Sequence, residues 1–203
     1  TADLYTAATS SGGSSITGDG DSIAAGGQIA TNLVQGSTLA LISNSAIGTV
    51  VSAVKGNVTV KAANSASILA NVETDMTSTG TSVGVTLAFN SIGWESQNFL
   101  SNTVDALADT DIGTENTVRV EAHVKDSSVY AAGGVEVGSI LNGEIDSTIS
   151  SAAVAIAESL GENTSISVGA VVTLNRLSTA ARATIEGASA VQAGAGDIWV
   201  HAF

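Results

Sequence analysis

Two histidines, a run of carboxylates and a few aromatic rings are the side chains whose types and spacing suit chemistry in this sequence. His123 and His201 each stand in a short strand pattern on the face opposite its valines, which places both imidazoles outward, in solvent. No GxSxG, HExxH or phosphate-loop pattern occurs, and with no Cys in the chain a thiol nucleophile is excluded. Paired carboxylates remain as an enzymatic route, because Asp clusters with Lys and Arg cleave acidic polysaccharides on some β-helical scaffolds. That chemistry needs a basic groove, and only Lys55, Lys61, Arg119, Lys125, Arg176 and Arg182 are available to build one. Asp105, Asp109 and Asp111 gather hard oxygen donors of the kind Ca²⁺ takes, with Glu115 nearby. The full calcium-loop pattern and its closing bidentate Glu are missing, so a solvated acidic loop is the competing reading; Asp19 and Asp21 form a sparser pair. Trp199 and Tyr130 fall on outward strand positions, where a ring stacks on a sugar or meets a neighbouring module.

The elements that must position these groups are built from small residues. The chain has 203 residues, 44% of them hydrophobic but only 3% aromatic, with 22 Gly and no Pro. A mean hydropathy of +0.34 argues against disorder, and the missing Pro and Gly period exclude collagen. The apolar runs fall short of the ~20 residues a membrane-spanning helix needs, and no signal peptide pattern opens the sequence. A net charge of −13 disfavours nucleic acid and anionic membrane as partners. The lack of Cys fits a secreted bacterial chain that must avoid stray disulfides.

Two motifs recur. Ser82 to Asn90, SVGVTLAFN, returns as Ser167 to Asn175, SVGAVVTLN, at an offset of 85 residues, and Thr38 to Gly48 reads as a degenerate third copy. The second motif is an alternating strand at Val58/Val60, Val118/Val120, Val135/Val137 and Ile198/Val200. Period two turns these residues to the core and Lys61, Arg119, Glu121 and His201 to the outside. Glycine corners precede two of the strands, at Gly133-Gly134 and at Gly194 to Gly196. A sandwich would carry more aromatic bulk and more Asn-Gly or Asp-Gly hairpins, so a parallel β-solenoid fits better. The 17-residue separation of Val118 and Val135 suggests coils of roughly 17 to 25 residues, about ten in all. Ser96 to Asp109 has a helical stripe with Ser96 as N-cap and Trp94 packing it onto the coil. Ser151 to Leu160 fits either a Gly-capped helix or a strand, and its neighbours favour the strand. Asn90 and Asn175 end equivalent strands, where they occupy tight corners or stack as a buried amide row.

The sequence SVGVTLAFNSIGW, followed by EAHVKDSSVYAAGGVEV and SVGAVVTLN with ARATIEGASAVQAGAGDIWVHA, resembles the repeat regions of giant bacterial β-helical surface adhesins, the filamentous-haemagglutinin-like stalk proteins. The resemblance covers most of residues 38–203, while 1–37 is a Gly/Ser/Thr-rich start with little signal. It implies an all-β, right-handed parallel β-helix, here with one short helical insertion near 96–109. It implies no catalytic motif. The absence of a Gly-Gly-x-Gly-x-Asp tandem departs from the calcium-binding β-roll of other secreted proteins. The expectation is one solenoid segment over 1–203, part of a longer repeat protein, serving as a non-enzymatic stalk or filament module outside a bacterial cell. The alternatives are a carbohydrate- or Ca²⁺-dependent binding domain and, third, a polysaccharide-degrading β-helix enzyme. Its partners would be flanking modules or identical subunits end to end, with cell-surface carbohydrate as a further possibility.

Overall fold

The computed structural model describes residues 2–14, 22–95, 114–156, 165–187 and 190–203, the first of these ranges as backbone. Long alternating segments form strands because the small side chains offer little bulk to fold back on, and parallel neighbours satisfy the backbone. Among the described residues thirteen strands follow in chain order: β1 (Ala2–Ser14), β2 (Ile23–Val34), β3 (Ser37–Ser43), β4 (Ala46–Ile47), β5 (Val58–Ser78), β6 (Thr81–Ile92), β7 (Val118–Lys125), β8 (Ser128–Ala131), β9 (Val135–Ala155), β10 (Ile166–Leu177), β11 (Thr179–Glu186), β12 (Ala190–Ala193) and β13 (Ile198–Ala202). They form four parallel sheets, ordered β1-β5-β9-β13, β10-β6-β2, β11-β7-β3 and β12-β8-β4. The chain therefore travels in circuits, each adding one strand to every sheet. Three circuits are complete, and β13 begins a fourth.

The circuit is much longer than the expected coil. Residues stacked directly on one another are 58 to 85 positions apart. The 17-residue spacing instead separates β7 from β9, which lie in different sheets, β7 in the second circuit and β9 opening the third. Three circuits thus replace the expected ten. The offset of 85 is a true stacking register, because Ser82 pairs with Ser167 and Asn90 with Asn175. The third copy, however, is β2, whose Asn32 pairs with Asn90, and not Thr38 to Gly48, which belongs largely to β3 and β4. The quiet start of the sequence therefore holds two long strands.

β5 alternates along its whole length, with every even-numbered position from Val58 to Ser78 facing inward. Its first half packs on β7, β8 and β9, where Val60, Val120, Val124, Val129, Val135 and Val137 form the largest apolar cluster. Its middle packs Ile68 and Ala70 against Ile92 and Val118. Each such valine or isoleucine removes enough surface to contribute about 1.5–3 kcal/mol. Towards the far end the core turns polar and is held by hydrogen bonds across it, as between the Thr86 and Thr74 hydroxyls at 2.7 Å. Val118, Val120, Val135 and Val137 are buried, and Lys61 and Arg119 are exposed, as the alternation requires. Ile198 and Val200 share the inward registers of Val135 and Val137, yet remain 44% and 46% exposed. They sit on the outermost strand of their sheet, with no strand above them among the described residues. The expected helix at 96–109 lies outside the described residues; 151–155 ends strand β9, and 157–160 is outside as well.

Candidate functional site

β13 turns Trp199 outward between two inward residues and leaves it 60% exposed. On one side the ring borders an open cavity of about 280 Å³ with Asn57, Thr59, Gly134, Glu136 and Asp197. On the other it shares with Glu136, His201 and Phe203 a second cavity of about 460 Å³. The register explains the grouping, since Trp199 stacks on Glu136, which stacks on Thr59. His201 Nε2 lies 3.5 Å from Glu136 Oε1, and its ring is 5.3 Å from that of Phe203. Beneath His201 is Gly138, where a Cβ would come within 2.6 Å of Nε2. A side chain at 138 would push the imidazole from its place over the strand.

This corner offers an aromatic face beside acceptors on Glu136 and Asp197, the combination that holds the C–H face and hydroxyls of a sugar. Asn57 Oδ1 already accepts from the Gly134 N–H at 2.8 Å, so it braces the corner. Both charged groups in the first cavity are carboxylates, which favours neutral over acidic ligands. Tyr130 does not join the site. It lies half-buried on β8, in another sheet, and lines neither cavity. The sequence reading missed Glu136, Asn57 and Asp197, although Asn57 and Asp197 each stand one position before an inward residue of the strand motif.

His123 points outward from β7 but is only half-buried between flanking strands, not in open solvent. Its Nδ1 meets Thr184 Oγ1 at 2.6 Å, and its Nε2 is 3.6 Å from Glu121 Oε2. Hydroxyl, imidazole and carboxylate are thus ordered as in an acyl-transfer triad. The carboxylate distance is too long for an orienting hydrogen bond, and the groups lie outside both cavities at Trp199. On the same face Lys125 Nζ lies 4.0 Å from Glu186 Oε1.

Asp105, Asp109 and Asp111, like Asp19 and Asp21, lie outside the described residues. Among the described residues no three His, Asp or Glu side chains converge as a metal site would require. What is described is the pair of segments on either side of 96–113. Glu95 N–H donates to Thr114 O, and Asn116 N–H to Gly93 O, each at 2.9 Å, forming an antiparallel neck. Glu115 accepts from the Ser178 hydroxyl and, at 3.1 Å, from that of Thr117; the two bonds, Ser178's foremost, hold its carboxyl below the ordinary glutamate pKa. Trp94 does not open onto a sugar site: the Arg176 guanidinium lies 4.6 Å over its ring.

Inside the stack, Asn32 Nδ2 donates to Asn90 Oδ1 at 2.7 Å, and Asn90 Nδ2 to Asn175 Oδ1 at 2.8 Å. The expected amide row therefore exists. Its upper end is tied by Asn175 Nδ2 to Ser147 Oγ at 3.0 Å. No family model, curated protein or solved structure matches the chain.

Proposed function

We propose that this chain is a non-enzymatic structural module, a segment of a right-handed parallel β-helix that builds a stalk or filament of a large extracellular bacterial adhesin or surface fibre. The observation that carries the reading is the register. All four sheets are parallel, and the same residue types recur on successive circuits, so another circuit fits either end without a change of pattern. The hand follows from the rule that crossovers between parallel strands are right-handed in ~98% of cases. Beyond Ser139 the upper edge of β9 has no strand partner among the described residues. That edge suits a further strand as long as β1, which pairs with β5 over 13 residues. Flanking modules or identical subunits therefore meet it end to end.

The test is a polypeptide in which two copies are joined head to tail by a short flexible linker. Stacked copies unfold in one transition, above the melting temperature of a single copy, because the interface between repeats adds to the stability of each. Two independent transitions at the single-copy temperature would falsify the reading.

A second reading rests on Trp199, whose exposed ring stands beside Glu136 and Asp197. In that reading the rim of the module holds a neutral cell-surface carbohydrate. Titrating neutral oligosaccharides against the intrinsic fluorescence, with Trp199→Ala as control, checks it; an unchanged spectrum at saturating sugar removes it.

A further inference from the structure

Over its first seven residues the β2-β6-β10 sheet has its polarity inverted, before Ala88 and Ile92 bring apolar side chains back inward. Its inward positions on β6 are Ser82, Gly84 and Thr86, all buried, whereas the outward positions between them are Val83 and Val85. Across the sheet the outward side chains align in rows, Ala25–Val83–Val168 and Ile29–Leu87–Val172. Bulk and hydrophobicity have thus been placed on the side away from the core. Ile23 is 68% exposed and Ile166 51%, so the margins of this face are open to water. A sheet with a solvated outer face carries polar residues there, and a contiguous apolar patch marks a contact.

Charge identifies what makes that contact. Arg176, at the last row, is the only charged residue at an outward position of this sheet, and it is engaged with Trp94. The neighbouring outer faces are strongly charged, with Glu73, Asp75, Glu144 and Asp146 on β5 and β9. Those carboxylates lie across the core from this sheet, because β5 and β9 pack against the inner side of β6. A polar ligand finds few hydrogen-bonding groups on the apolar face, and an anionic surface is repelled by a chain of net charge −13. An equally flat and uncharged partner is required, and a second copy presents one.

We infer that the outer face of the β2-β6-β10 sheet docks side by side on the same face of a second copy of this chain. Strands of 12 residues extend ~40 Å, and three of them span ~14 Å. The sheet therefore spans ~560 Å² per copy and a facing pair ~1,100 Å², close to the ~1,000 Å² of a specific interface, with Phe89 and Arg176 at one end already packed within the chain. Two sheets facing each other at ~10 Å interdigitate their valines and isoleucines as the layers of a sandwich do. The acidic faces then point away from each other, beyond the ~8 Å screening length of physiological salt. The contact is isologous and closes at a dimer, so it is independent of the end-to-end stacking proposed above.

Sedimentation equilibrium over a dilution series tests it, read against variants of each surface. The wild-type chain gives a closed dimer, Val168→Lys loses the dimer while keeping its circular dichroism and melting temperature, and Val200→Lys on the end rung keeps it. Because the chain has no Cys, a single Val85→Cys near the centre of the face reports contact directly: a short bismaleimide joins two chains, whereas Ser67→Cys on the opposite side does not cross-link. A monomer at every concentration overturns the inference, as does a dimer indifferent to Val168→Lys or abolished only by Val200→Lys. A monomer that floats with phosphatidylcholine vesicles also overturns it, and assigns the face to lipid.

Discussion

The asparagine row shows how one side-chain type fixes a register. Asn90 is 1% exposed, donates to one neighbour and accepts from the other, so both its polar atoms are occupied only when the strands align without slip. Replacing it with Ala removes two hydrogen bonds together, the one from the Asn32 amide and the one to the Asn175 carbonyl, the first of them in the buried part of the stack. Asn90→Ala therefore costs about 3 kcal/mol, whereas Asn175→Ala, at the exposed end where water substitutes, costs about 1 kcal/mol. Urea unfolding midpoints measure both, and equal costs would show that the row is not the register lock. Glu115 gives a pH-dependent counterpart. Its folded pKa is depressed by the Ser178 and Thr117 hydroxyls, so its contribution to the neck is present above the ordinary glutamate value and is lost as pH falls through the lower, folded value. In a carboxyl-carbon NMR titration, Ser178→Ala should move the Glu115 midpoint upward; an unmoved midpoint shows that the Ser178 bond is not what lowers it.

At the scale of the element, the strands and their facing were legible in the sequence, but the length of the circuit was not. Alternation is a local property, so Val58, Val60, Val135 and Val137 announce their inward faces unaided. Stacking is not local. Val118 and Val135 share a pattern because both face inward, onto neighbouring clusters of the core, although they lie in different sheets. The offset of 85 survived in the sequence because Asn90 and Asn175 must match for their amides to bond, while β2 shares only Gly26, Ala30 and Asn32 with β6, two of them small residues common throughout the chain, and so hid its kinship. The Trp199 corner was half legible: the outward ring follows from alternation, but Asn57 and Glu136 reach it only through stacking. Position along the stack also sets the cost of core truncation. Ile68 is fully buried between rungs, so Ile68→Ala costs about 3–4 kcal/mol, whereas Val200→Ala on the half-open rung costs below about 1 kcal/mol. Gly93 makes the joint between β6 and the neck at φ 77°, with the Ser178 carbonyl where a side chain would go. Gly93→Ala is therefore expected to lower the melting temperature by more than Val200→Ala does, and scanning calorimetry of the pair decides.

The whole molecule gains breadth rather than reach from its fold. β5 alone runs ~70 Å across its 21 residues, while three stacked circuits rise only ~14 Å. Each face is consequently a wide strip, and over the second and third circuits the strips differ in kind: acidic on β5 and β9, of mixed charge on β7 and β11, apolar on β6 and β10. The acidic strip has a thermodynamic consequence. Glu73, Asp75, Glu136, Glu144 and Asp146 share it with Lys61 as the only cation in β5 or β9, so folding concentrates like charges that the unfolded chain holds apart. Screening shortens from ~30 Å at 0.01 M salt to ~8 Å at 0.15 M, which removes most of this repulsion while leaving the buried core untouched. Raising NaCl across that range should therefore increase the melting temperature by about 3–6 °C, at the few degrees per kcal/mol expected for a chain of this size. The Glu144→Gln/Asp146→Asn double variant should begin higher and rise less. Stacked copies carry the same strip every ~14 Å, inside the low-salt screening length and outside the physiological one, so a head-to-tail pair should be more salt-sensitive than a single copy. If the single chain melts at one temperature at both salt concentrations, or lower at the higher one, the repulsion on this strip is not a term in its stability.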